Sequence, residues 1–94
     1  MAGTSENLIA AAIIQYLETR PDHSATIAQI RSALPGFIEL TREDREPSLT
    51  RTGEQKWEQI VRNVVCHRDV PDNAVNDGLL VYVARGRLSL PGLE

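Results

Sequence analysis

The stretch Thr52-Gly53-Glu54-Gln55-Lys56-Trp57-Glu58-Gln59-Ile60-Val61-Arg62-Asn63-Val64-Val65-Cys66-His67 decides how this chain folds. Trp57, Ile60, Val61, Val64 and Val65 recur at spacings of three and four, which lays them along one side of a helix. Thr52 and Gln55 stand at capping-box spacing, so the helix is expected to start near residue 53. It should run for roughly 16 residues, about 24 Å. Three β-branched valines lower its intrinsic propensity, so packing against other elements must hold it.

Those other elements are read by working outward. Residues 69–78 are rich in Asp, Asn and Gly and predict turns. Residues 79–84 then read as a strand and residues 87–90 as a second one. Arg85-Gly86 lies between them at two-residue hairpin spacing, with glycine supplying a positive φ. On the other side, residues 36–53 have no period. Phe37, Ile38 and Leu40 can pin that segment to a core, and the charged run Arg42-Glu43-Asp44-Arg45-Glu46 is expected to be a solvated loop.

Further upstream, Thr26-Ile27-Ala28-Gln29 matches a capping box, Ile27, Ile30, Ala33 and Leu34 form a helical stripe, and Pro35-Gly36 stops it. Ser24-Ala25-Thr26 suits a very short edge strand able to pair with the hairpin. The first helix carries Leu8, Ile9, Ala12, Ile13, Tyr16 and Leu17 on one stripe. Thr4 or Ser5 can cap it, Glu6 suits its first turn, and Pro21 ends it. Helix, edge segment, helix, long connection, helix and hairpin is the order of a winged helix-turn-helix. The expected fold is therefore α+β, three helices plus a C-terminal β-hairpin wing, in one domain over residues 1–94. A plain three-helix bundle with a trailing hairpin is the alternative arrangement.

Composition narrows the function classes. The chain has 94 residues, with 10 Lys and Arg against 13 Asp and Glu, so it is no uniformly basic binder. The acidic excess lies in residues 1–50, with 4 basic and 7 acidic side chains; residues 51–94 hold 6 of each. The single cysteine, Cys66, excludes an intramolecular disulfide framework. No apolar run approaches the ~20 residues of a membrane span, and the N-terminus lacks a signal peptide's basic region. A cytoplasmic location is the expectation.

At 100° per residue, the side of the third helix opposite its seam carries Gln55, Gln59, Arg62, Asn63 and Cys66, with Lys56 and His67 on a flank. Gln and Asn can pair bidentately with adenine, and Arg with guanine, in the major groove of double-stranded DNA. An ordinary polar surface is the competing account of this face. Arg85 and Arg87 flank Gly86 at the hairpin tip, where a wing meets phosphate or minor groove. With Arg51, they complete a candidate DNA-binding set of Arg51, Gln55, Lys56, Gln59, Arg62, Asn63, Arg85 and Arg87. Arg68 falls at the seam angle and is expected to pair with a carboxylate.

Catalysis finds no constellation. Adjacent Cys66 and His67 point about 100° apart on a helix and cannot chelate one metal. There is no phosphate-binding glycine loop, nucleophile elbow or His-Glu-x-x-His. Neither enzyme activity nor any cofactor or metal is expected.

Leu40-Thr41-x-x-Asp44-Arg45-Glu46, Trp57-Glu58-x-x-Val61-Arg62, Gly78-Leu79-Leu80 and Arg85-Gly86-x-Leu88, in that order, resemble the N-terminal winged-helix domain of Mrr-type restriction endonucleases. The resemblance spans roughly residues 6–91. It implies a DNA-recognition module, with Arg62 and its helix neighbours facing DNA and Arg85 and Arg87 on the wing. Cleavage belongs to a separate nuclease domain of that family and does not carry over. A regulator or the recognition part of a restriction or modification system is the leading expectation, acting as a homodimer or with a nuclease partner. The alternative is a winged-helix module that binds protein and not DNA.

Overall fold

A computed structural model describes residues 6–48, 53–83 and 86–91. Helix α1 (Glu6–Thr19) is followed by strand β1 (Ser24–Thr26), helix α2 (Ile27–Ala33), a 3₁₀ turn (Leu34–Gly36), helix α3 (Lys56–Cys66) and strands β2 (Val81–Val83) and β3 (Arg87–Ser89). Among the described residues the fold is thus α+β, three α-helices with a three-stranded antiparallel sheet. No helix among them is long and apolar enough to cross a membrane.

α1 buries Ile9, Ala10, Ala12, Ile13 and Leu17, the stripe its spacing predicts, and packs mainly on α3. Pro21 cannot continue the helix, and the chain turns through His23, at φ 53°. The Asp22 carboxylate accepts the Ser24 backbone N–H in this turn, at 3.3 Å, and that bond holds its pKa below the usual value. Thr26 then caps α2: its Oγ1 accepts the Gln29 N–H at 3.1 Å while Gln29 Oε1 accepts the Thr26 N–H at 2.9 Å.

The sheet order is β1-β3-β2, with β3 central and both pairings antiparallel. Ala25, Leu88 and Tyr82 lie in register and face the helices; Ala25 and Leu88 are fully buried. The Ile27 N–H donates to the Gly86 carbonyl at 2.8 Å, which ties the hairpin to the start of α2. A two-stranded hairpin alone is marginal, and β1 supplies the third strand that supports it.

The structure departs from several of these expectations. α3 has 11 residues, about 16 Å, and starts at Lys56. Gln55 precedes it in extended conformation because it forms a β-bridge with Pro47. Thr52, expected as the cap, lies outside the described residues; the Glu58 carboxylate accepts the Gln55 N–H instead, at 2.8 Å. The first hairpin strand is confined to Val81–Val83, since the Leu79 and Leu80 amides bond the Ala74 carbonyl, at 2.9 and 3.3 Å. Val83 pairs with Arg87, so three residues separate the strands where two were expected, and Gly86 has the positive φ, 74°. Arg68 lies over the Tyr82 ring, 4.8 Å from its centroid, and pairs with no carboxylate among the described residues.

Among the described residues, two polar side chains are buried with the core. Asn73 donates to Glu6 Oε2 and the Val64 carbonyl, each at 3.0 Å, and its Oδ1 accepts the Val75 and Asn76 N–H groups. His67 Nδ1 lies 2.9 Å from Glu6 Oε1, so the end of α3 and the start of α1 share this polar junction. The second buried polar residue is Asp44, 1% exposed where a solvated loop was expected. Asp44 Oδ2 accepts the Thr41 N–H at 2.8 Å and Thr41 Oγ1 accepts the Asp44 N–H at 3.1 Å, which folds residues 41–44 into a closed turn.

Candidate nucleic-acid interface

The first N–H groups of a helix have no partner within it and must find one elsewhere. For α3 the partners come from the 44–46 turn. The Lys56 N–H donates to the Glu46 carbonyl at 2.8 Å and the Trp57 N–H to the Asp44 carbonyl at 3.0 Å. The Ser48 N–H donates to the Glu54 carbonyl at 2.7 Å, extending the contact begun by the Pro47–Gln55 bridge. Residues 41–48 of the central connection therefore form a folded plug that sets the position and pitch of α3. These two leading amides are consumed inside the fold and cannot receive a phosphate.

Trp57, Val61 and Val64 are buried beneath α3, with Ile60 and Val65 partly so, as the seam predicts. The opposite side carries the candidate residues, and each has a definite setting. Gln55 is the residue before the helix; its Oε1 accepts the Trp57 indole N–H at 2.7 Å. Lys56 Nζ lies 3.3 Å from Glu46 Oε1. Gln59 accepts the Ser48 hydroxyl. Arg62 donates Nε–H to Glu54 Oε2 at 2.7 Å. Asn63 is half-buried, with no side-chain hydrogen bond among the described residues. Arg87 runs along the outer face of the sheet and donates to Ser24 Oγ at 3.0 Å. Arg51 and Arg85 lie outside the described residues.

The structure thus brings Lys56, Gln59, Arg62 and Asn63 onto one side of α3 and sets Arg87 apart on the sheet. It also adds two residues that spacing did not single out. Glu54 Oε2 accepts from Arg62 and also from Arg31 Nη1, again at 2.7 Å. Glu54 is 11% exposed, against 26% for Arg31 and 37% for Arg62. Arg31 sits in the last turn of α2, a position the helix dipole favours for a cation. That was the one available signal for it. Glu54 gave none, because it precedes the helix and forms no i,i+4 pair with Arg62.

Among the described residues on this side, the cations Arg31, Lys56 and Arg62 meet the carboxylates of Glu46 and Glu54, and these charges are held in place by their neighbours. Elsewhere, a cleft of about 370 Å³ runs between α1 and the 72–79 segment, floored by Ala10, Ile14, Ala74 and Leu79. Among the described residues no group of three or more His, Cys, Asp or Glu side chains is placed to hold a metal ion. Comparison of the chain with protein families, with curated proteins and with solved structures finds no match.

Proposed function

We propose that this chain is a winged-helix DNA-binding module related to the N-terminal domain of Mrr-type restriction endonucleases. In this reading α3 enters the major groove and the β2–β3 hairpin serves as the wing. It acts as a regulator or as the recognition part of a restriction or modification system, as a homodimer or beside a separate nuclease, in the cytoplasm. The observation that supports it most is the joining of β1 to the hairpin sheet. That pairing holds the hairpin against α2 while Lys56, Arg62 and Asn63 stay partly exposed on α3. A helix of about 16 Å presents three or four side chains to base edges, the usual number for such a helix.

A titration of ¹⁵N-labelled protein with duplex DNA tests the proposal. Amides of α3 and of the hairpin should shift at low salt, and the binding should weaken as salt rises. Were Arg51, Lys56, Arg62, Arg85 and Arg87 all to neutralise phosphates, log K would fall against log salt with a slope of about −4 to −5. The pairing of Lys56 and Arg62 with carboxylates makes that an upper limit. Absence of shifts across varied and methylated duplexes overturns the proposal. That outcome favours the second reading, a protein-interaction module, which draws support from the acids beneath the cations and from the chain's net charge of −3.

A further inference from the structure

Arg31, Glu54 and Arg62 form one unit that joins the end of α2, the approach to α3 and the middle of α3. A carboxylate under a single arginine would cancel its charge. Under two arginines it leaves one net positive charge, and it fixes the direction in which that charge points. The bond to Glu54 uses Arg62 Nε–H, which rules out the side-on fork of Nε and Nη. What stays available is the end-on pair of Nη groups, the fork that matches O6 and N7 of guanine. A phosphate can be met by such a fork or by the point charge of a lysine, whereas guanine is matched best by the fork, so a fixed fork matters most for a base. A nearly buried carboxylate beneath a partly exposed arginine fixes the direction of the fork, which suits base reading.

We infer that Glu54 is a positioning residue that holds Arg62 end-on to read a guanine, with Arg31 keeping the unit positively charged. The inference rests on the DNA-binding reading and adds a base preference and the residue that enforces it. It also predicts a sign that bulk electrostatics does not. Removing an acid from a DNA-facing surface should raise affinity for any duplex, whereas removing a positioning residue should erase discrimination.

The experiment is a selection from a randomised duplex pool with the full chain, its Glu54→Gln variant and its Arg62→Lys variant. Affinities for the selected duplex, and for the same duplex with the G·C pair replaced, are then measured. The wild type should enrich one fixed G·C pair and prefer it by roughly tenfold or more. Glu54→Gln should bind the pool as tightly or more tightly while that preference collapses toward one. Arg62→Lys keeps the charge but removes the fork; its affinity for the selected duplex should fall toward that for the replaced duplex, erasing the same preference, and it serves if Glu54→Gln fails to fold. A folded Glu54→Gln or Arg62→Lys chain that still selects the same G·C pair overturns the inference, as does a wild type that binds duplexes without selecting guanine. A wild type that binds no duplex overturns the DNA reading, and the inference with it.

Discussion

The two sides of α3 obey different rules. On the inner side, Trp57, Val61 and Val64 are at most 5% exposed and rest against α1 and the rest of the core. Burial of this kind is non-directional, and any well-shaped apolar neighbour satisfies it. On the outer side, Lys56, Gln59 and Arg62 are each matched to a particular oxygen, on Glu46, Ser48 and Glu54. Those partners precede the helix, so the outer side depends on how residues 46–48 and 54 are placed beside it. The inner side carries its instructions in its own spacing. The outer side borrows them from elsewhere in the chain.

The sharpest way to break this contrast is at Trp57. Trp57→Ala should destabilise the protein by about 3–5 kcal/mol, through lost burial and the cavity left behind. Chains of this length have a total stability of roughly 5–14 kcal/mol, so chemical denaturation should show a large shift or outright unfolding. Trp57→Phe should lose much less, since most of the ring packing survives. A Trp57→Ala protein as stable as the wild type would mean that the inner seam does not hold the fold.

A second substitution asks how far directional polar bonds contribute in the core. Asn73 is 2% exposed and serves four partners, among them the Val64 carbonyl of α3. Asn73→Ala leaves the Val64, Val75 and Asn76 backbone groups without these bonds, and thermal or denaturant unfolding should record a loss of about 1–3 kcal/mol. No loss would show that solvent replaces the network freely.

The same contrast explains how much was legible beforehand. Local patterns read correctly. The Thr26–Gln29 capping box, the α1 stripe and the α3 seam all depend on residues within a turn or two of each other. Phe37, Ile38 and Leu40 also pack on the core as expected. Most of what failed depended on pairing across distance. The start of α3 moved to Lys56 because Pro47, eight residues upstream of Gln55, holds Gln55 extended. Asp44 sits in a charged run that reads as solvent-exposed, yet its bonds to Thr41 and the Trp57 N–H on its carbonyl draw it inside. Of the candidate interface, composition and helical phase placed Lys56, Gln59, Arg62 and Asn63 together. They could not place Glu54 or Arg31, which stand 8 and 31 residues before Arg62 in the chain.

The smallest expected effect on stability falls on the outer side, and there the central claim is most exposed to test. Arg62 is more than a third exposed, so its bond to Glu54 is worth no more than about 0–1 kcal/mol. The decisive measurement follows a labelled duplex by fluorescence anisotropy at low salt, for the wild type and Arg62→Ala, with denaturant unfolding of both. Arg62→Ala should weaken DNA binding by roughly fivefold or more while its unfolding midpoint stays near that of the wild type. A wild type without affinity for any duplex, or an Arg62→Ala chain that binds as the wild type does, would contradict the central claim.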